Sequence, residues 1–96
     1  MSNTPVVAVF FAKPGAEDKV EELFRSVIDT TVKEEGCIFY HLTRDTENPR
    51  CFIFMEAWES KALLERHLSA PHITKLFAAL PDYIESSRVS VLERLA

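Results

Sequence analysis

Glycine is nearly absent: the 96-residue chain has two, Gly15 and Gly36. Without a glycine-rich turn there is neither a dinucleotide fingerprint nor a P-loop, so a phosphate-bearing cofactor lacks its usual cradle. Cysteine is as scarce, with two, and neither CxxC nor HExxH spacing occurs, which removes the common zinc and redox motifs. A serine nucleophile elbow is missing too. Basic residues are outnumbered by acids, 11 against 15 for a net charge of −4, and lie interspersed among them. Phosphate backbones demand concentrated Lys and Arg, so the balance argues against nucleic acid. The longest apolar run, Val6 to Ala12, is far short of the ~18 residues of a membrane span, and no membrane partner is expected. The opening "MSNTP" carries no basic patch or apolar run of a secretion signal, so a cytoplasmic chain with free thiols is expected. No repeat or low-complexity linker divides it; residues 1–96 are expected to form one domain.

What is present is a sequence of alternating periods. "PVVAVFFA" (Pro5–Ala12) is β-branched and aromatic and ends at the breaker "KPG", which predicts a strand. From Ala16 to Glu35, Val20, Leu23, Phe24, Val27, Ile28 and Thr31 fall on one stripe of a single helix, and Gly36 follows as its stop. "CIFYHLTRD" and "RCFIFMEAW", joined by "TENP", predict a hairpin with Cys37 near Trp58 and Cys51 near Arg44, too far apart for a disulfide. Ser60 can cap a short helix through Leu68, Pro71 suits the first turn of another, and "SSRVSVLERL" supplies a last strand.

The order β, α, β, β, α(α), β folds with right-handed crossovers into an α+β, ferredoxin-like βαββαβ sandwich whose helices cover one face of an antiparallel sheet. Yet the strands are apolar on both faces. The second face is expected to be hidden by the same face of another copy, giving a two-fold homodimer.

Two of the three histidines and the single Trp gather in "WESKALLERHLSAPH". At 100° per residue His67 falls between Leu63 and Leu64 and points at the sheet. A desolvated imidazole tends to stay neutral and then keeps a lone pair for a proton. Two readings stand side by side: a base, or a core histidine satisfied by backbone or a carboxylate. His72, in the first turn after Pro71, is the second candidate base or a solvent-facing residue. Trp58 offers an apolar wall with one donor, and Tyr40 a hydroxyl, although both residue types also serve as packing. Leu63 and Phe24, on the inward stripes of their helices, complete the expected substrate contacts. Glu56, inside an apolar strand, needs a partner, with Arg44, Arg50 or a histidine available. His67 and His72 lie five apart across a helix break with no third ligand evident, so no metal is expected.

With "KEEGC", "FFAKPG" and "EAWES…LERHLSAPH" in view, the chain resembles the antibiotic biosynthesis monooxygenase (ABM) family, in its quinol-monooxygenase-like branch. The resemblance covers almost all of the sequence and implies a dimeric α+β barrel, with a cleft between sheet and helices. It also implies oxidation of a small quinol or other electron-rich aromatic by dioxygen without flavin, metal or haem, a neutral histidine (His67 or His72) acting as base. Polyketide-oxidising members place Asn and Tyr where this chain has Phe54 and Leu64, and only their Trp has a counterpart, Trp58. Haem-degrading members require Asn, Trp and His where this chain has Ala8, His67 and Phe77. Two alternatives remain: a non-catalytic dimeric ligand-binding module, and an isomerase or degrading enzyme for a small phosphorylated signalling sugar. The latter would need an anion site built from Arg44, Arg66 or Lys75.

Overall fold

The computed structural model describes residues 3–96, so the first two residues of "MSNTP" lie outside the described residues. β1 (Thr4–Ala12) ends at a turn where Gly15 takes φ +86°, a conformation that favours glycine. The chain continues through α1 (Glu17–Arg25) and α2 (Ile28–Val32). The hairpin of β2 (Cys37–Arg44) and β3 (Cys51–Trp58) follows. Then come α3 (Lys61–Leu68), α4 (Pro71–Ala79), a 3-10 turn over Leu80–Asp82, and β4 (Ile84–Val91). The four strands pair in the order β2-β3-β1-β4, all antiparallel. This is the ferredoxin-like α+β arrangement read from the sequence. No helix among the described residues is long and apolar enough to cross a membrane.

Two boundaries differ from expectation. The single helix over 16–35 is two helices, with a turn at Ser26 and Val27 between them. Ser26 Oγ donates to the carbonyl of Leu23 at 2.6 Å and closes the last turn of α1. The bend carries Thr31 into full burial. The last strand begins at Ile84, earlier than "SSRVSVLERL", and stops at Val91; Leu92–Ala96 is not strand.

The hairpin register agrees with its turn: Cys37 stands opposite Trp58 and Arg44 opposite Phe52, with a bulge between Cys37 and Phe39. Val6, Ala8 and Phe10 of β1 pair with Glu56, Phe54 and Phe52 of β3, and all six side chains are buried beneath the helices. The alternate set of Val7, Val9, Phe11, Ile53, Phe39 and Met55 occupies the other face, opposite the helices, where Met55 is 47% exposed and residues 94–96 share a groove with Phe39 and Ala57 at one edge.

Candidate functional site

One end of the helix-covered layer is polar. His67, on α3, is 2% exposed and sits over β3, its ring 4.5 Å from that of Trp58 and 5.4 Å from that of Tyr40. Ser60 starts α3 by accepting the Leu63 amide on its hydroxyl at 3.2 Å, which sets the helix phase that turns His67 inward. Across from it, Gly36 adopts φ +86°, and a Cβ there would meet Leu63 Cβ at 2.8 Å and also strike Leu63 Cδ1. Only glycine lets the start of β2 pass this close to α3, and the approach delivers Glu34 to the histidine.

Glu34 Oε2 lies 2.7 Å from His67 Nδ1. A carboxylate only accepts, so Nδ1 carries the proton and Nε2 keeps its lone pair. Burial pushes the His67 pKa down; the Glu34 hydrogen bond and charge oppose that, and His72 adds slightly to it. The ring is therefore a neutral base held in one tautomer. His72 Nε2 stands behind Glu34, 3.2 Å from Oε2 and 3.0 Å from Thr31 Oγ1. The donor atoms of Glu34, His67 and His72 all lie within 4.8 Å of one another, a set a divalent cation could share, although here they satisfy each other. The expectation that no third ligand stands near the two imidazoles is thus corrected: Glu34 is there.

A small, partly open cavity of about 20 Å³ adjoins His67, lined also by Tyr40, Glu56, Phe54, Leu76 and Phe77. It holds about one water molecule. Of the residues singled out from sequence, His67 and Tyr40 line it and Trp58 braces the imidazole. His72 does not reach it. Phe24 is buried elsewhere, among Phe10, Phe52 and Phe54, and Leu63 lies beneath Gly36. A wider open groove of about 630 Å³ runs beside β2, lined by Glu21, Arg25 and Arg44 among others. Its charges are spent on one another, Glu21 pairing with both arginines, and neither His67 nor Glu34 lines it.

Sequence reasoning missed Glu34 and did not include the partner of Glu56 among its candidates. Arg44 pairs with Glu21, and Arg50 bonds Glu85 and the Ala12 carbonyl. Glu56 instead accepts from Trp58 Nε1 at 3.0 Å. A lone acid in an apolar strand was the visible signal; its partner was two residues away. Both cysteines are free, and burial, the larger cause at each, raises their thiol pKa values, which suits packing residues.

A family model described as antibiotic biosynthesis monooxygenase matches residues 5–79, which include Glu34, Tyr40, Glu56, Trp58, His67 and His72. The chain belongs to the antibiotic biosynthesis monooxygenase family. Among similar proteins, Probable quinol monooxygenase YgiN of Escherichia coli is 29% identical over 98 residues, covering 92% of this chain and 94% of its own length. A Synechocystis protein of unassigned function is 28% identical over 72 residues; the match covers 75% of this chain and about half, 49%, of that relative. Among solved structures, a Pseudomonas aeruginosa protein superposes with a TM-score of 0.94 at 26% identity, covering 100% of this chain and 97% of that one. An antibiotic biosynthesis monooxygenase superposes at 0.90 with 30% identity, covering 97% and 99%.

Proposed function

We propose that this ABM-family protein is a monooxygenase that oxidises a small quinol, or a similarly electron-rich aromatic, with dioxygen, the substrate supplying the electrons. The observation that carries the reading is the 2.7 Å contact of Glu34 with His67 Nδ1, which leaves Nε2 as the basic nitrogen of a ring lining an otherwise mostly apolar cavity. Removal of a phenolic proton by His67 gives an anion that attacks oxygen. The surrounding apolar walls hold the two together and exclude water.

At about 20 Å³ the cavity is closed to such a substrate, against the ~300–1,000 Å³ of ordinary ligand pockets. Its mouth is formed by Leu68, Phe77 and Val89, each already 40–46% exposed. Swinging Leu68 and Phe77 outward forfeits little burial, so entry at this point is inexpensive. The sheet face opposite the helices supports the second element of the proposal, a two-fold homodimer with sheet stacked on sheet. Sedimentation in dilute solution tests the pairing, and a well-folded monomer would sink it.

Oxygen uptake with a panel of hydroquinones is the test of the chemistry. A His67→Gln variant that folds should lose ~10²–10⁴-fold in rate. Equal rates would take the imidazole out of the mechanism. The small cavity favours one competing reading, a non-catalytic module in which the histidine is packed; there, no quinol turns over in the wild type. A phosphorylated sugar is poorly served, since no Lys or Arg lines the cavity and Arg44 and Arg66 are paired with Glu21 and Glu35.

A further inference from the structure

Glu56 is a buried acid without a cation. It projects from the middle of β3 onto the helix-covered face, between Val6 of β1 and Tyr40 of β2, and is 6% exposed. Among the described residues its one hydrogen-bond partner is the Trp58 indole, which donates to Oε1 at 3.0 Å. That same indole lies against the His67 ring, and Glu56 and His67 line the same cavity. A carboxyl taken from water and given one neutral donor is destabilising to keep. A structural acid here would have a Lys or Arg beside it; this one has an indole and a cavity.

We infer that Glu56 is a second proton-transfer residue of the quinol oxidation, a protonated acid that serves the oxygen-derived intermediate while His67 serves the phenol. The inference rests on the quinol reading and assigns the proton steps that follow deprotonation. After His67 takes the phenolic proton, the ring carbon ortho to the phenolate oxygen forms a C–O bond to dioxygen and becomes a peroxide anion. Glu56 donates its proton to give the hydroperoxide. As a carboxylate it then removes the hydrogen from the same ring carbon. The C–H electrons form the new C=O, the O–O bond breaks, and hydroxide leaves. The hydroxide takes the proton held by His67. The sum is hydroquinone plus dioxygen to hydroxyquinone plus water, with Glu56 protonated and His67 neutral again. One oxygen atom ends in the ring and one in water.

Burial, the dominant cause, pushes the Glu56 pKa up to about 7; the Trp58 hydrogen bond opposes this and the Glu34 charge adds to it. The groups facing it are few. Tyr40 stands opposite on β2, its hydroxyl held un-ionised by burial and by the charges of Glu56 and Glu34. His67 faces it from α3, Glu34 lies in the turn before β2 and Cys37 at the start of that strand, and the cavity walls from β1, α4 and β4 are apolar.

Glu56→Gln keeps an acceptor for Trp58 and cannot transfer a proton. In the full chain, with oxygen uptake measured over the uncatalysed background, kcat should fall ~10²-fold with KM little changed. A fall in rate on the alkaline side of the wild-type pH profile is expected near 7 and should be missing from the variant. Glu56→Asp should recover part of the rate. Infrared difference spectra of the resting protein should show a protonated carboxyl C=O band that titrates near neutral pH and is missing from Glu56→Gln. Unchanged kcat and pH profile in Glu56→Gln beside an active wild type would overturn the assignment. So would a carboxyl already ionised at pH 5.5. Failure of the wild type itself to turn over any quinol would instead remove the quinol reading, and the role of Glu56 with it.

Discussion

The two ends of the helix-covered layer are built from the same strands and behave as opposites. At the α1 end, Phe24 meets Phe10, Phe52 and Phe54 with ring centroids 4.9, 5.7 and 4.9 Å away, steeply inclined as aromatic quadrupoles prefer. The cluster is aromatic throughout, and the one charge that touches it, the Arg44 guanidinium 4.7 Å over the Phe52 ring among the described residues, lies on its outer side. At the α3 end the strand positions continue, yet Glu56 follows Phe54, and the helix offers His67 where α1 offered Phe24. There the packing leaves a cavity. One end is filled by aromatic rings, while the other adds buried polar groups and a void beside Trp58, Leu64 and Ile73. That is the distribution expected when function is placed against a firm scaffold.

The contrast breaks most visibly at Phe24. With no exposed surface and three aromatic neighbours, its replacement by Ala forfeits transfer energy and leaves a hole the rings cannot fill. A loss of ~3–5 kcal/mol in urea unfolding is expected. A loss below ~1.5 kcal/mol would mean that the cluster collapses freely and is not the rigid end.

Legibility from sequence follows the same division. The α1 end was readable because Val20, Leu23, Phe24 and the strand phenylalanines obey simple periods, and both faces of β1 were rightly taken as apolar. The helix break at Ser26–Val27 was not, since the stripe runs on through Thr31 without interruption. The polar end was half readable. His67 was placed on the inward face of α3, and Ser60 as its cap, from local spacing alone. Glu34 could not be found this way, because its meeting with His67 depends on the passage of Gly36 over Leu63, a contact between segments some thirty residues apart. Glu56 was conspicuous, but a buried acid suggests a basic partner, and the candidates Arg44, Arg50 and a histidine passed over the indole two residues on; Arg44, at the end of β2, and Arg50, in the turn before β3, are engaged with Glu21 and Glu85. Phe24 and Leu63 were offered as substrate contacts because inward-facing stripes do not say which end of the layer is hollow.

A smaller effect, of opposite sign, sharpens the comparison. The Glu56 pKa stands at about 7 in the folded chain against 4.5 for the free side chain. Between those values the native state holds more protons than the unfolded one, so stability falls as pH rises through the window and levels off above it. His67 works the other way. Its folded pKa is depressed, so stability is lost as pH falls below the ordinary imidazole value. In the wild type the two slopes oppose each other over the weakly acid range. Glu56→Gln removes one of them. At pH 8 the variant should be more stable than the wild type by on the order of 3 kcal/mol, since the rise from 4.5 to about 7 is worth 1.36 kcal/mol for each tenfold step in acidity. The gain should shrink toward nothing near pH 4.5, leaving a curve that only rises with pH across the His67 range. Urea midpoints at pH 5, 6.5 and 8 measure this. A variant less stable than the wild type at pH 8 would show that the ionised carboxyl is well accommodated, and that the polar end is as settled as the aromatic one.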